Sequence, residues 1–230
     1  MSRRNKLQKF AELTTFPHVF EDFNREDRKL NGANGQFFAL KGRWGATVFK
    51  NDHPLVLELA CGYGEYTVAL AAADPARNFV GVDIKGNRIW RGAKTALEET
   101  LPNAAFLRTR IERIDDFFDT GEVDEIWITF PDPFLKKSKS NRRLTSPPFL
   151  SLYRKILKPG GLLHLKTDEG VLSEFTLNTL HYDPEASIRY SNPDIYAGEL
   201  IRPELAIPTR YERIHQAKGK TIKYIQFTIN

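Results

Sequence analysis

From residue 54 onward, apolar runs of two different periods alternate along the chain, and this limits the fold more than any other feature. Residues 54–60 (PLVLELA) form a short apolar run closed by a glycine turn, the pattern of a buried strand. Residues 65–73 read as a helix ending near Asp74-Pro75, and 78–84 (NFVGVDI) as a second strand. Residues 86–100 have helical spacing, with Ile89, Trp90, Ala93, Ala96 and Leu97 on one face. A shorter strand at 105–109 follows, then a fourth at 123–130 (VDEIWITF) running into Pro131-Asp132-Pro133. A helix over 149–157 stops at Lys158-Pro159-Gly160-Gly161, before a fifth strand at 162–167 and a helix at 171–180. Residues 187–190 and 221–229 are late strands, the last alternating cleanly (IKYIQFTI).

Strands alternating with helices predict an α/β fold with a mostly parallel sheet, helices covering both faces. Two late strands with no helix between them predict an antiparallel edge. Residues 1–50 fall outside the pattern and read as an N-terminal extension, partly flexible, with 51–230 as the main domain. The chain of 230 residues is long enough to bury a core without a metal or disulfide staple. The single cysteine, Cys61, excludes an internal disulfide and a cysteine-rich zinc site. The longest aliphatic run, 68–73, is too short to cross a bilayer. No apolar segment follows the basic N-terminus, so no secretory signal is expected and the cytoplasm is the expected compartment.

The net charge of +5 is unevenly spread. Residues 134–158 hold eight Lys/Arg and no Asp/Glu, and 208–230 hold five Lys/Arg against one Glu. The rest of the chain is therefore acidic on balance. Two basic stretches on a neutral body suit a polyanionic partner, although a solvated basic face with no partner has the same composition.

Five clusters carry chemistry. Glu58-Leu59-Ala60-Cys61-Gly62-Tyr63-Gly64 joins the first strand to a helix, where backbone N–H groups can meet a ligand. It lacks the third glycine of a dinucleotide fingerprint, and its acidic residue suits a cofactor with a cationic amino-acid part. Asp83, at the end of the second strand, is placed to hold ribose hydroxyls, with a helix N-cap as the alternative. Asp132 is aimed by a proline on either side at the carboxyl end of the fourth strand, where ligands of open α/β sheets bind; a plain Asp-Pro turn is equally compatible with its spacing. The basic run 136–143 follows directly and could bring phosphates to that mouth. Lys166-Thr167-Asp168 and Thr209-Arg210-Tyr211-Glu212 add polar groups near the same edge, each readable as structural when taken alone. The five histidines show no metal-ligand spacing, so no metal is expected.

In order, Glu-x-Ala-Cys-Gly-x-Gly (58–64), Gly-Val-Asp-Ile-Lys (81–85), Phe-Pro-Asp-Pro (130–133) with Lys136 and Arg142-Arg143-Leu144, Lys-Thr-Asp (166–168) and Thr-Arg-Tyr-Glu (209–212) resemble the bacterial tRNA (guanine-N7-)-methyltransferases. The resemblance runs from about residue 54 to the C-terminus. It implies a Rossmann-like class I methyltransferase with a seven-stranded sheet. It implies methyl transfer from S-adenosylmethionine to N7 of the variable-loop guanine of tRNA, position 46 in tRNA nomenclature. By the same resemblance Glu58, Gly62, Gly64, Asp83 and Asp132 would meet the cofactor, with Asp132 also catalytic. Lys136, Arg142, Arg143, Asp168, Thr209, Arg210, Tyr211 and Glu212 would meet the substrate. The partners expected are tRNA, no membrane and no metal, with the chain a monomer or homodimer.

Three positions depart from the family's pattern. Ala60 stands where glycine is usual, and Phe134 where tryptophan is common. Arg110 stands where an acidic residue near the adenine is usual, so either adenine recognition uses another group, such as a backbone N–H, or cofactor affinity is lower. Two alternatives remain at this level: a class I methyltransferase acting on another substrate, or an RNA-binding module on a fold that has lost catalysis.

Overall fold

The structure, a computed structural model, describes residues 4–22 and 28–230. Helix α1 (Lys6–Leu13) and strands β1 (Val19–Glu21), β2 (Leu30–Asn31) and β3 (Phe37–Phe38) come first. Then β4 (Leu55–Leu59), α2 (Glu65–Ala73), β5 (Asn78–Asp83), α3 (Gly86–Glu98) and β6 (Ala104–Arg108) alternate. The alternation continues through β7 (Val123–Thr129), α4 (Pro147–Ile156), β8 (Leu157–Thr167) and α5 (Gly170–His181). The chain closes with β9 (Ala186–Asn192), α6 (Arg210–Gln216) and β10 (Lys223–Ile229).

All ten strands form one sheet in the order β3-β2-β1-β6-β5-β4-β7-β8-β10-β9. The five strands from β6 to β8 are parallel, and β10 runs antiparallel to both β8 and β9, which is the expected edge. The seven expected strands are present. The first forty residues, however, do not stand apart from the pattern. Strand β1 pairs in parallel with β6, and β2 and β3 extend that edge, enlarging the sheet from seven strands to ten. Strands of two or three residues are too short to show a period of two in the sequence. Residues 1–3 and 23–27 of the expected extension lie outside the described residues.

Successive residues of each strand face opposite layers, as the pleat requires. On β7, Ile126 and Ile128 join the core under α4 and α5, while Trp127 joins the core under α2 and α3. Trp44 and Phe20, from the N-terminal segment, are fully enclosed in the first of these cores, Trp44 stacking on Phe118 at 5.0 Å. The expected stop at Gly160-Gly161 lies inside β8. Helix α4 ends at Ile156, and the β7–β8 register shifts so that Val123 faces Leu157 and Glu125 faces Leu162. Pro159, Gly160 and Gly161 form the loop that absorbs the shift, with Gly160 in the left-handed region at φ 77°.

The segment between β9 and α6 crosses the carboxyl ends of the strands and is tied down from beneath. Lys166 Nζ, fully buried, donates to Leu205 O at 2.8 Å, Ile207 O at 3.2 Å and Glu212 Oε2 at 2.8 Å. Beside it, the Glu125 carboxylate receives Arg77 at 2.8 Å and Trp127 Nε1 at 2.8 Å and lies 2.9 Å from His164 Nε2. Burial pushes the Glu125 carboxyl up, but His164, Arg202 and Arg77 together hold it down at about 2.

Candidate active site

At the carboxyl ends of β4 to β8 lies a cavity of about 680 Å³. That volume is within the usual range for small-molecule sites. Its floor is the turn after β4. Ala60 has φ 58° and Gly62 has φ 57°, so the chain doubles back and exposes backbone at Gly62. A side chain on Gly62 would meet only Ala60 O, at 3.9 Å, so the space beside this glycine is open. Asp83 holds the turn: its Oδ2 accepts from Gly62 N at 2.9 Å and its Oδ1 from Lys85 N at 2.8 Å. The N-cap position of α3 is Lys85, so Asp83 is not the helix cap.

Glu58 lies deeper. Its Oε2 accepts from Thr67 N at 2.9 Å and Thr67 Oγ1 at 2.5 Å, and its Oε1 from Thr129 Oγ1 at 2.6 Å. Burial pushes the carboxyl up to about 7, against the pull of those bonds. Burial also pushes the neighbouring Cys61 thiol up, so it is not an activated nucleophile.

Of the other expected residues, Asp132, Arg142, Asp168, Thr209 and Tyr211 line the cavity with Glu58, Gly62 and Asp83. Asp132 is exposed, and its Oδ1 accepts from Phe134 N at 3.1 Å. Phe130 and Phe134, on either side, take φ 47° and φ 41°, a rare conformation for bulky side chains. Arg142 stacks its guanidinium over Phe134 at 4.7 Å.

Five expected residues do not line the cavity. Gly64 is a packing glycine, since a side chain there would strike Phe106 at 2.6 Å and Gly92 Cα at 3.1 Å. Arg143 is buried and donates to Pro133 O at 3.0 Å and Phe134 O at 3.1 Å, holding the Asp132 loop from behind. Glu212 is fully buried, closing a capping box with Thr209 and pairing with Lys166 at 2.8 Å. Lys136 is exposed beyond the rim. Arg210 is also outside, with its guanidinium 5.6 Å over the ring of Tyr63, which lines the mouth.

Arg110 lines the cavity after β6, beside Ile111, and is exposed. Across from it lies a residue that the sequence reading passed over. His215, on α6, lines the cavity with its ring parallel to that of Phe130. A lone histidine three residues past the Thr-x-Tyr-Glu box has no spacing signal to reveal it. Among the described residues no cluster of His, Cys, Asp and Glu could hold a metal ion, and no helix is long and apolar enough to cross a membrane.

The cavity residues fit a nucleoside cofactor with an amino-acid tail. The Asp83 carboxylate stands at the end of β5, backbone is open at Gly62, and the Glu58 carboxylate lies below. Comparison with known proteins agrees. A family model described as "Putative methyltransferase" matches residues 52–225. A curated protein of Christiangramia forsetii, "tRNA (guanine-N(7)-)-methyltransferase", is 49% identical over 230 residues, covering 100% of both chains. One of Bacteroides thetaiotaomicron, bearing the same name, is 44% identical over 98% of this chain and 86% of its own. Among solved structures, the 16S rRNA methyltransferase KamB superposes with a TM-score of 0.61 at 15% identity, covering 85% of this chain and 96% of its own, a likeness of fold.

Proposed function

The chain belongs to the tRNA (guanine-N(7)-)-methyltransferase family, and from that premise we propose how its cavity works. The enzyme transfers a methyl group from S-adenosylmethionine to N7 of guanine in tRNA. In our reading the target is the variable-loop guanine, position 46 of tRNA, and the enzyme works in the cytoplasm. The observation that carries the reading is the placement of Asp83 and Asp132 on one cavity, at the ends of β5 and β7.

When bound, S-adenosylmethionine supplies a methyl group made electrophilic by its sulfonium. The chain supplies the rest. Asp83 would hold the ribose, the open backbone at Gly62 would lie against the tail, and Glu58 would stand beneath it. Guanine N7 has a free lone pair, so no side chain need remove a proton before attack. Positioning is then the chain's main contribution, roughly 7–11 kcal/mol in favourable cases. Positive charge develops on the purine during transfer, and the Asp132 carboxylate is the group placed to oppose it. One Asp132 oxygen accepts from Phe134 N–H at 3.1 Å, and the residue lines the cavity.

The basic run, with Lys136 and Arg142, would grip phosphates around the splayed base. The A-form major groove, where N7 lies, is too deep and narrow for side chains to read, so a loop guanine is the accessible target. Arg143 and Glu212 act from behind, holding the loops that carry Asp132 and Tyr211. The test is transfer of labelled methyl from S-adenosylmethionine to unmodified tRNA, followed by chemical cleavage at 7-methylguanine. One cut in the variable loop is expected. Label without that cut would overturn the position assigned.

A further inference from the structure

We propose that His215 is a substrate-contacting residue, the ring against which the target guanine stacks. This rests on the tRNA reading above and deepens it. The ring of His215 lies parallel to that of Phe130, with an interplanar angle of 5° and centroids 6.4 Å apart. Both residues line the cavity on the Asp132 side. The backbone of Phe130, at φ 47°, is tied to the sheet by its N–H, which donates to Lys166 O at 2.8 Å. Asp168 stands beside the other ring: its Oδ2 lies 3.1 Å from the buried His215 Nδ1, which makes no hydrogen bond. Lys220 Nζ in turn donates to Asp168 Oδ2 at 2.5 Å.

Three of the cavity's other rings are less free to receive a base than this pair, while Tyr211 also lines the cavity. Tyr63 is covered by the guanidiniums of Arg88 at 5.8 Å and Arg210 at 5.6 Å. Phe134 lies under Arg142. Tyr66 is fully buried, its hydroxyl donating to Glu204 O at 2.8 Å. A guanine lifted from its stack needs an aromatic face, which is how loop bases are held. Phe130 and His215 offer one beside the carboxylate that would oppose the purine's charge.

The experiment measures binding of two tRNA transcripts, one with guanine at the target position and one abasic there, to wild type, His215→Ala and His215→Phe. Methylation of the guanine transcript by wild type is scored first. Failure there overturns the tRNA reading itself, independently of His215. If His215 carries the base, His215→Ala weakens the guanine transcript at least about five-fold, in the range of base–aromatic stacking. The abasic transcript changes less than about two-fold, and His215→Phe restores the preference for guanine because the ring, not its nitrogen, does the stacking. Equal weakening of both transcripts by His215→Ala would mean that the residue only packs α6 and would overturn the proposal. So would an unchanged preference for guanine, or a Phe variant that restores nothing.

Discussion

Lys166 and Glu212 form an ion pair at 2.8 Å in which both side chains are wholly buried. The pair joins β8 to α6 beneath the cavity, and Tyr196 adds a hydrogen bond to Glu212 at 2.6 Å. Desolvation draws the lysine's pKa down while Glu212 draws it up, and the net direction is down. The motif glutamate that reads in sequence as a substrate contact is thus the anchor for the cavity wall that bears Thr209, Tyr211 and His215.

Breaking this pair from one side leaves a buried charge unmatched. Glu212→Gln or Lys166→Met is expected to lose about 3–5 kcal/mol of stability in urea unfolding. The double variant Lys166→Met/Glu212→Gln should lose less than the sum of the two. Additive losses would show that the two residues act independently.

The buried Glu58 sets a pH dependence. An unfolded glutamate titrates near 4.5, while burial holds this one at about 7. Between those values the folded state binds the extra proton, so stability from this group falls as pH rises from about 4.5 to about 7. The full difference corresponds to about 3 kcal/mol at most. Glu58→Gln should therefore gain stability relative to wild type at pH 8 but not at pH 4, as read by unfolding curves at both values. A gain of equal size at both would contradict the burial account.

Ala60 occupies a left-handed conformation, φ 58°, that disfavours any side chain. The strain is about 1–2 kcal/mol, offset in part by the greater freedom of glycine when unfolded. Ala60→Gly should raise the melting temperature by a few degrees, and the β-branched Ala60→Val should lower it further than any cavity-filling gain could offset. A neutral Val variant would show that the turn relaxes.

Lys136 and Arg142 are both exposed at or beyond the rim of the cavity. If they meet phosphates, tRNA affinity falls steeply with salt, and each Lys/Arg→Ala change lowers the slope of log K against log salt by about one. Filter binding from low to high salt reads this directly. A flat wild-type profile would remove the basic run from the interface.

Most of the fold was legible because strands β4 to β8 are buried on both faces and read as continuous apolar runs between helices. The antiparallel edge was legible from the alternation in β10. Strand β1 was not, since three residues, Val19 to Glu21, show no period and gain their place only by pairing with β6. At the site, Asp83, Asp132 and Gly62 were legible because residue type and position at a strand end carry the signal. Arg143, Gly64 and Glu212 belong to motifs that border the cavity, but their own side chains or space lie at its back. Sequence marks that a residue belongs to a motif without saying which side of the backbone its side chain takes. His215 was missed because nothing local distinguishes it; only the fold brings it to Asp168 and Phe130.

The most direct test of the account is single-turnover methyl transfer to tRNA by Asp132→Ala, with S-adenosylmethionine affinity measured by calorimetry on the same preparation. The predicted result is a rate at least about a hundred-fold below wild type, the loss expected when a group opposing transition-state charge is removed, with cofactor affinity changed less than about three-fold. An unchanged rate would contradict the placement of Asp132 at the reacting base, and a matching loss of cofactor affinity would make it a binding residue instead.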